Sequence, residues 1–358
     1  MPDPVRDAVA LAVVESSQVG EARRLAQSLA RDAGLNPIDQ AKVGLIVTEL
    51  ATNLARHAVG GELIVRALRE GRRPGVECLA IDRGPGMPDL DRCLVDGYST
   101  GGTSGTGLGA VVRLCDRFDA HSDPGVGTVI AALCLAADRP RGEAAGADPD
   151  AGGEAAGADL DLGAVCRPLA GESACGDAWA AARSPAGVRT LIVVDGLGHG
   201  PQAAAAADAA LAAFRASPSL SPAEHLDAIH PALRGTRGAA VAVAAVDPRR
   251  GELRYAGVGN IAGTLIDADG ARRGLVSHNG TVGLVMPRVQ EFAHPWPAGA
   301  LLVLHSDGLG SSWRLDDRPA LRSRRPGVIA GALYRDFGRG RDDVTVVVAR
   351  DADGGRPG

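Results

Sequence analysis

The sequence predicts a mixed α+β protein built from two domains, and three observations carry that prediction. First, at roughly 100 to 200 residues per domain, a chain of 358 residues is long for one core. Second, the apolar periodicity stops between 138 and 159. Third, helical and strand-like segments occur on both sides of that gap. We therefore expect domains at 1–137 and 160–354, joined by a flexible linker at 138–159.

The linker prediction rests on composition. After Arg139-Pro140-Arg141-Gly142, the heptapeptide Gly-Glu-Ala-Ala-Gly-Ala-Asp occurs twice, at 142–148 and 153–159. Such acidic, Gly/Ala-rich chain lacks the large apolar residues whose burial would offset the entropy of ordering. We expect it to act only as a spacer.

The overall composition excludes several classes of protein. Hydrophobic residues make up 45% and charged residues 23% of the chain, as in ordinary globular proteins. The 38 basic and 43 acidic residues give a net charge of −5. The chain therefore lacks the excess positive charge that nonspecific binding to nucleic acid or anionic membranes needs. The expected partners are proteins or small ligands.

The cysteines and the N-terminus indicate the compartment. The six cysteines are scattered, with no Cys-x-x-Cys pair and no zinc-finger spacing, which is typical of a reducing environment. The first residues, Met1-Pro2-Asp3-Pro4, do not open a secretion signal, and no apolar run reaches the ~18 residues of a membrane helix. We expect a cytoplasmic protein.

The sequence of the first domain predicts an α/β layer with its helices on one face. Ser16-Ser17 is expected to cap a helix that ends near Ala33, and Pro37 precedes a second helix. The remaining expected elements are a strand at 8–14, the second helix from about 38 to 58, strands at 63–68, 76–81 and 128–135, and a short helix at 108–116.

Strands dominate the second domain. An Ala-rich helix is expected from about Pro201 to Phe214. Many β segments with few long helices favour paired sheets covered by helices. The expected strands are 190–194, 239–246, 253–256, 300–305 and 344–349.

Two polar residues on the second helix are the first candidate site. Glu49 and Asn53 are four residues apart, so both side chains leave the same helix face. An amide oxygen is a suitable ligand for hydrated Mg²⁺, and a carboxylate can accept a proton from water or a hydroxyl. Taken alone the pair is weak, because such residues are common on solvated helices.

Two glycine-rich segments strengthen that candidate. Asp82-Arg83-Gly84-Pro85-Gly86 follows a strand, where glycine lets the backbone approach a flat ligand and Asp82 can accept from the amine of adenine. The run from Tyr98 to Gly109 then leads into a helix whose N-terminal amides favour phosphate. It lacks the Lys-Ser/Thr of a P-loop. The three parts in this order predict a nucleotide pocket.

These motifs resemble the GHKL-type (Bergerat) ATP-binding fold, in particular the RsbT-like serine/threonine kinases of bacterial partner switching. The resemblance covers 1–137 and implies ATP with Mg²⁺ as ligands, Glu49 as catalytic base, Asn53 as the Mg²⁺ ligand and Asp82 as the adenine-binding residue. Arg56 or His57 either reaches phosphate or is an ordinary helix residue. The implied nucleotide contacts from the loops and the last helix are Gly84, Gly86, Thr100, Gly105, Gly107, Leu108 and Gly109.

Four aspartates beside apolar runs form the second candidate site. They are Asp177, Asp195, Asp307 and Asp342, each placed where a strand could deliver it to one edge of a sheet. Clustered carboxylates favour hard divalent cations such as Mg²⁺ or Mn²⁺. Two such cations can activate water for attack on phosphorus. Asp-Gly is also a common turn dipeptide, so only the ordered set of four carries weight.

That set resembles the PPM-type metal-dependent serine/threonine phosphatases, in the short SpoIIE-like and RsbX-like bacterial form with an αββα sandwich. The resemblance implies two Mn²⁺ or Mg²⁺ ions, bridged by the catalytic Asp195 with the carbonyl of Gly196 on one of them. Asp177, Asp307 and Asp342 would complete the ligands, with Asp343 as their neighbour. No arginine stands beside Asp177 to clamp phosphate, which leaves the grip on substrate open.

Together the two resemblances imply a bifunctional kinase and phosphatase acting on a STAS-type antagonist in stress or sigma-factor signalling. Two alternatives stay open. In one, only the phosphatase is an enzyme, and the ATP-binding domain senses nucleotide or docks a sigma-factor regulator. In the other, both pockets are degenerate and the protein is a scaffold.

Overall fold

The computed structural model describes residues 9–70, 73–94, 107–137 and 160–351. The predicted linker and most of the glycine-rich run lie outside the described residues. The helices are α1 (Ser17–Asp32), α2 (Pro37–His57), α3 (Leu90–Cys93), α4 (Gly107–Leu114), α5 (Pro201–Ala216), α6 (Pro222–Ala232), α7 (Pro319–Arg322) and α8 (Pro326–Phe337). The strands of the first domain are β1 (Val9–Ala12), β2 (Glu62–Glu70), β3 (Arg73–Ile81), β4 (Arg117–Asp123) and β5 (Gly127–Leu135). Those of the second domain are β6 (Leu160–Arg167), β7 (Asp177–Arg183), β8 (Arg189–Gly196), β9 (Ala239–Asp247), β10 (Glu252–Val258), β11 (Ala262–Ile266), β12 (Arg272–Leu275), β13 (Phe292–Pro295), β14 (Leu301–His305) and β15 (Val344–Asp351).

The first domain is one antiparallel sheet in the order β1-β2-β3-β5-β4, with α1, α2 and α4 packed on one face. This confirms the predicted one-sided layer. Helix α2 begins as its sequence dictates, because the side chain of Asn36 accepts hydrogen bonds from the amides of Ile38 and Asp39 at 2.9 and 3.0 Å.

The predicted cap at Ser16 is wrong in its mechanism. Ser16 itself has helical backbone angles and its side chain makes no capping hydrogen bond. The side chain of Gln18 instead accepts from the amides of Val14 and Glu15, at 2.7 and 2.9 Å, just before the helix.

The second domain is a four-layer αββα sandwich, as predicted. One sheet has the order β13-β10-β9-β8-β7 and the other β12-β11-β14-β15-β6. Their inner faces share a core that includes Trp179, Tyr255 and Trp296. Helices α5 and α6 cover the outer face of the first of these sheets, and α7 and α8 cover the outer face of the second.

Helix α8 also packs against the first domain. One apolar cluster joins Val328, Ile329 and Leu333 of α8 to residues of β3 and β5, including Leu79 and Val129. The sheet of the first domain therefore has its own helices on one face and a helix of the second domain on the other. The two domains form one stack of alternating layers.

The sequence reasoning missed α6 and α8, for different reasons. Helix α6 carried a readable signal, since Ser221 and Glu224 form a capping box with Pro222 between them. Helix α8 carried little, because nine of its 12 residues are buried. A helix covered on both sides lacks the polar stripe on which helical periodicity depends.

Two further findings concern the cysteines and the lengths of the helices. None of the six cysteines, all of which lie in the described residues, forms a disulfide, in agreement with the scattered spacing. In the part of the chain that the structure describes, no helix is long and apolar enough to cross a membrane.

Candidate functional site

The first candidate site begins in the second half of α2. Glu49 and Asn53 are both half-buried on one helix face, as their spacing predicts. A Cβ atom added to Gly107 would lie 2.7 Å from Oε2 of Glu49, so this carboxylate points at the first residue of α4. A side chain at this position would displace the carboxylate. The N-terminus of α4, which is expected to bind phosphate, therefore lies beside Glu49, the expected catalytic base.

Asp82 lies at the end of β3, next to the end of α2. Its backbone pairs with Thr128, and its Oδ1 accepts a 2.6 Å hydrogen bond from the amide of Gly84. Burial raises the pKa of Asp82. A Cβ at Gly84 would lie 2.8 Å from the carbonyl oxygen of His57, so a larger residue would push the loop away from α2. We call residues 82–87 the adenine loop, after the role that the sequence resemblance implies for Asp82.

The adenine loop packs closely against the end of β4. Gly86 has a φ of +69°, and any Cβ there would collide with the backbone of Asp123. The amide of Met87 donates to Oγ of Ser122 at 2.6 Å. The loop therefore rests on the turn between β4 and β5.

The remaining predicted nucleotide contacts are placed unevenly. Arg56 and His57 are exposed in the last turn of α2, which leaves both free to face a ligand or solvent. Leu108 and Gly109 lie in the first turn of α4. The predicted contacts Thr100 and Gly105 lie outside the described residues.

The second candidate site lies at one edge of the sandwich. Asp177 and Asp195 are directly opposite each other on β7 and β8, and Gly196 ends β8. Asp307 follows β14 and Asp342 precedes β15, two strands that pair in the neighbouring sheet. The four predicted aspartates thus come from two sheets to one edge.

Electrostatics shows that these carboxylates interact. Burial, followed by the charges of Asp307, Asp342 and Asp343, raises the pKa of Asp195 to about 7. Burial and the charge of Asp195 also raise the pKa of Asp177 well above its usual range. Carboxylates that repel each other in a buried position are a natural place for cationic charge.

Two of these aspartates accept hydrogen bonds from neighbouring side chains. Ser306 Oγ donates to Oδ2 of Asp177 at 2.6 Å, and Asn260 Nδ2 donates to Oδ2 of Asp307 at 2.8 Å. Among the described residues, no three acidic, histidine or cysteine side chains stand close enough to hold a metal ion as they are arranged. The donor chemistry fits hard divalent cations, because the site is built from carboxylate oxygens that repel each other without one.

Comparison with known proteins identifies relatives of both domains. A family model described as "Histidine kinase-like ATPase domain" matches residues 12–133, and one described as "Stage II sporulation protein E (SpoIIE)" matches residues 185–351. The serine/threonine-protein kinase RsbT of Bacillus subtilis (strain 168) is 37% identical over 112 residues, which are 31% of this chain and 84% of that protein. The chain belongs to the RsbT family. Its RsbT-like domain is fused to a SpoIIE-type phosphatase domain.

Solved structures are similar to the chain as well. One is described as "The bacterial stressosome: a modular system that has been adapted to control secondary messenger signaling". It is 34% identical with a TM-score of 0.50, and the match covers 54% of this chain and 100% of that chain. Another, described as RsbX in complex with magnesium, is 19% identical with a TM-score of 0.48, covering 54% of this chain and 96% of that one.

The SpoIIE-type site contains residues that support the predicted ligands; the resemblance implied Asp343 as their neighbour but gave no role to Ser306. Asp343 accepts hydrogen bonds from the amides of Leu169 and Gly176 at 2.6 and 2.7 Å, so it fastens the loop before Asp177. Ser306 bridges Asp177 to the amide of Thr345. The sequence signal for Ser306 was present, since it precedes Asp307 directly.

Two arginines supply the cationic groups that the sequence left open. A cavity of about 400 Å³ is lined by Asp307, Arg339, Arg341 and Asp342. No arginine was expected beside Asp177, but these two line the cavity together with Asp307 and Asp342, in the segment between α8 and β15. Exposed guanidinium groups beside a carboxylate cluster are suited to binding a phosphoryl group.

Proposed function

We propose that this protein is a bifunctional partner-switching regulator. Its RsbT-like domain transfers the γ-phosphoryl group of ATP to a serine or threonine of a STAS-type antagonist protein. Its SpoIIE-type domain removes phosphate from such a protein. The observations that support the proposal are that Glu49 lies beside the first residue of α4 and that Asp177 and Asp195 lie opposite each other on β7 and β8 in the same chain.

In the kinase reaction, Glu49 accepts the proton of the attacking hydroxyl as the new O–P bond forms and the bond to ADP breaks. Asn53, one turn further along α2, is the residue suited to hold Mg²⁺ on the phosphates. Asp82 accepts from the exocyclic amine of adenine. The start of α4 at Gly107 supports this role for Glu49, because it brings phosphate-binding amides next to the carboxylate.

In the phosphatase reaction, Asp177, Asp195, Asp307, Asp342 and the carbonyl of Gly196 would hold two Mn²⁺ or Mg²⁺ ions. Such ions, when bound, lower the pKa of water and neutralise phosphoryl oxygens. The chain's own residues orient the ligands: Ser306 holds Asp177, and Asn260 holds Asp307. Arg339 and Arg341 would bind the phosphoryl group of the substrate at the cavity mouth.

The proposed setting is the cytoplasm, with a stressosome-like or anti-sigma regulatory protein as partner. The RsbT relationship and the stressosome structure support a partner-switching role. The net charge of −5 supports protein rather than nucleic-acid partners.

Phosphotransfer from labelled ATP to a purified STAS-domain protein tests the kinase half. Glu49→Gln should abolish transfer but leave binding of a nonhydrolysable ATP analogue intact. The matched control is Glu21→Gln, an exposed glutamate on α1. Transfer by the wild type that survives in Glu49→Gln would exclude this residue as the base.

Phosphate release from the phosphorylated STAS protein tests the other half. Activity should require Mn²⁺ or Mg²⁺ and should be lost in Asp307→Asn. Asp269→Asn, an exposed aspartate in the turn after β11, is the control. Metal-dependent release that persists in Asp307→Asn would contradict the assignment.

A second function, a phosphatase regulated by a nucleotide-sensing domain, is favoured by the packing of α8 on both domains. It predicts that the protein binds ATP yet transfers phosphate to no partner. The transfer assay above separates the two functions, since only the bifunctional enzyme labels its substrate.

A further inference from the structure

Helix α8 lies between the sheet of the first domain, whose side chains it contacts, and β6 of its own domain, whose backbone it approaches closely. A Cβ at Gly331 would lie 2.8 Å from Cγ1 of Val129 on β5, and a Cβ at Gly163 on β6 would collide with the backbone of Gly327. Glycine on the helix and on β6 allows this close approach on both sides. Because packed interiors deform little, a shift of α8 must be felt by both sheets.

A buried arginine on α8 reaches under the adenine loop. The side chain of Arg335 is fully buried, and its Nη2 donates to Oδ2 of Asp123 at 2.8 Å. Asp123 is the residue whose backbone supports Gly86. It is also bound by Arg318, again from the second domain, at 2.8 Å. The turn beneath the adenine loop is thus held by two cations of the other domain.

The adenine loop is tied to the same residue from above. Nε and Nη2 of Arg83 both donate to the carbonyl oxygen of Arg335, at 3.2 and 2.9 Å. Arg83 directly follows Asp82. Burial raises the pKa of Asp82, and the positive charge of Arg335 opposes that rise, so the two groups lie within electrostatic reach. A buried guanidinium is a costly way to stabilise an interface that apolar side chains would hold as well.

The C-terminus of α8, two residues beyond Arg335, is bound to the segment that carries the phosphatase site. The amide of Gly310 donates to the carbonyl of Phe337 at 2.8 Å, and the amide of Arg339 donates to the carbonyl of Gly308 at 2.9 Å. The turn after α8 is therefore fastened to the segment that follows Asp307. Asp342 comes three residues after Arg339 in the same segment.

We propose that Arg335 and Arg83 are positioning residues for nucleotide binding, through which α8 of the SpoIIE-type domain holds the adenine loop of the RsbT-like domain in its binding position. The inference rests on the proposed ATP site. It implies that nucleotide binding and the phosphatase site are linked, because α8 contacts both. Linkage of this kind is reciprocal for binding.

The full-length protein tests this with two loss variants and a matched control. Arg83→Gln shortens the side chain and removes both guanidinium donors to the carbonyl of Arg335, and Arg318→Gln removes the charged group that supports Asp123 from the other domain. The control is Arg324→Gln, which removes an ion pair with Asp119 across the same interface, at 3.4 Å. Thermal unfolding of each variant verifies that it is folded.

The first readout is the dissociation constant of a nonhydrolysable ATP analogue with Mg²⁺, measured by calorimetry. Arg83→Gln and Arg318→Gln should raise it about 5-fold or more, and Arg324→Gln should leave it unchanged. Arg83→Lys, which keeps a donor for the carbonyl of Arg335, should recover part of the loss. Unchanged affinity in both loss variants, with normal binding by the wild type, would overturn the inference.

The second readout is Mn²⁺-dependent hydrolysis of p-nitrophenyl phosphate, with and without the analogue. In the wild type the analogue should change KM or kcat, and in Arg83→Gln this response should disappear at saturating analogue. A merely structural interface would not produce that difference. An identical response in wild type and Arg83→Gln would contradict the inference. Failure of the wild type to bind the analogue would instead refute the proposed ATP site, and the inference with it.

Discussion

Asp195→Asn should stabilise the metal-free protein at pH 8 while abolishing its phosphatase activity. Burial, followed by the charges of Asp307, Asp342 and Asp343, raises the pKa of Asp195 from 3.8 to about 7. The folded state therefore holds this proton more tightly than the unfolded chain does. The cost of ionisation is absent below pH ~4, grows as the pH rises, and is complete above pH ~7. A difference of about three pH units corresponds to about 4 kcal/mol at pH 8.

That figure is an upper value, because the variant also changes the contact of Asp195 with Asn260. Urea unfolding after chelator treatment, at pH 5 and pH 8, measures it. The stability advantage of Asp195→Asn should be larger at pH 8 than at pH 5. Asp269→Asn, exposed and outside the cluster, should match the wild type at both.

Added Mn²⁺ should reverse the order, since an ion that binds the folded wild type stabilises it by an amount that grows with the logarithm of the ion concentration above Kd. The reasoning is refuted if metal-free Asp195→Asn is less stable than the wild type at pH 8. It is refuted equally if the pH dependence of unfolding is the same in both proteins. Either result would mean that the carboxylates do not repel each other as their positions indicate.

Three further predictions concern residues around the two sites. Ser306→Ala removes the 2.6 Å hydrogen bond to Asp177 and should weaken Mn²⁺ binding, measured by calorimetry, about 10- to 100-fold. Arg341→Gln should raise KM for the phosphorylated substrate without changing the urea midpoint, because its exposed side chain lines the phosphatase cavity. Gly107→Ala places a methyl group 2.7 Å from Oε2 of Glu49, and should lower the rate of phosphotransfer with little effect on the melting temperature.

The candidate residues were readable from the sequence because each belongs to a short local pattern. Glu49 and Asn53 are one helical turn apart, and Asp195 directly precedes the glycine that ends its strand. Their roles in binding and catalysis remain proposals. The supporting groups were less visible: Asn260 reaches Asp307 from a different strand end, and Arg341 faces a cavity that only the folded chain creates.

The residue order by itself determined two domains, the helical and strand segments with clear periodicity, and the positions of the acidic and glycine-rich motifs. Tertiary structure alone decided that the domains share α8. Contacts such as that of Arg83 with Arg335 join residues 252 positions apart, which no local pattern encodes. The helix that makes them is buried on both sides, so its sequence lacks the polar stripe that would have marked its surface.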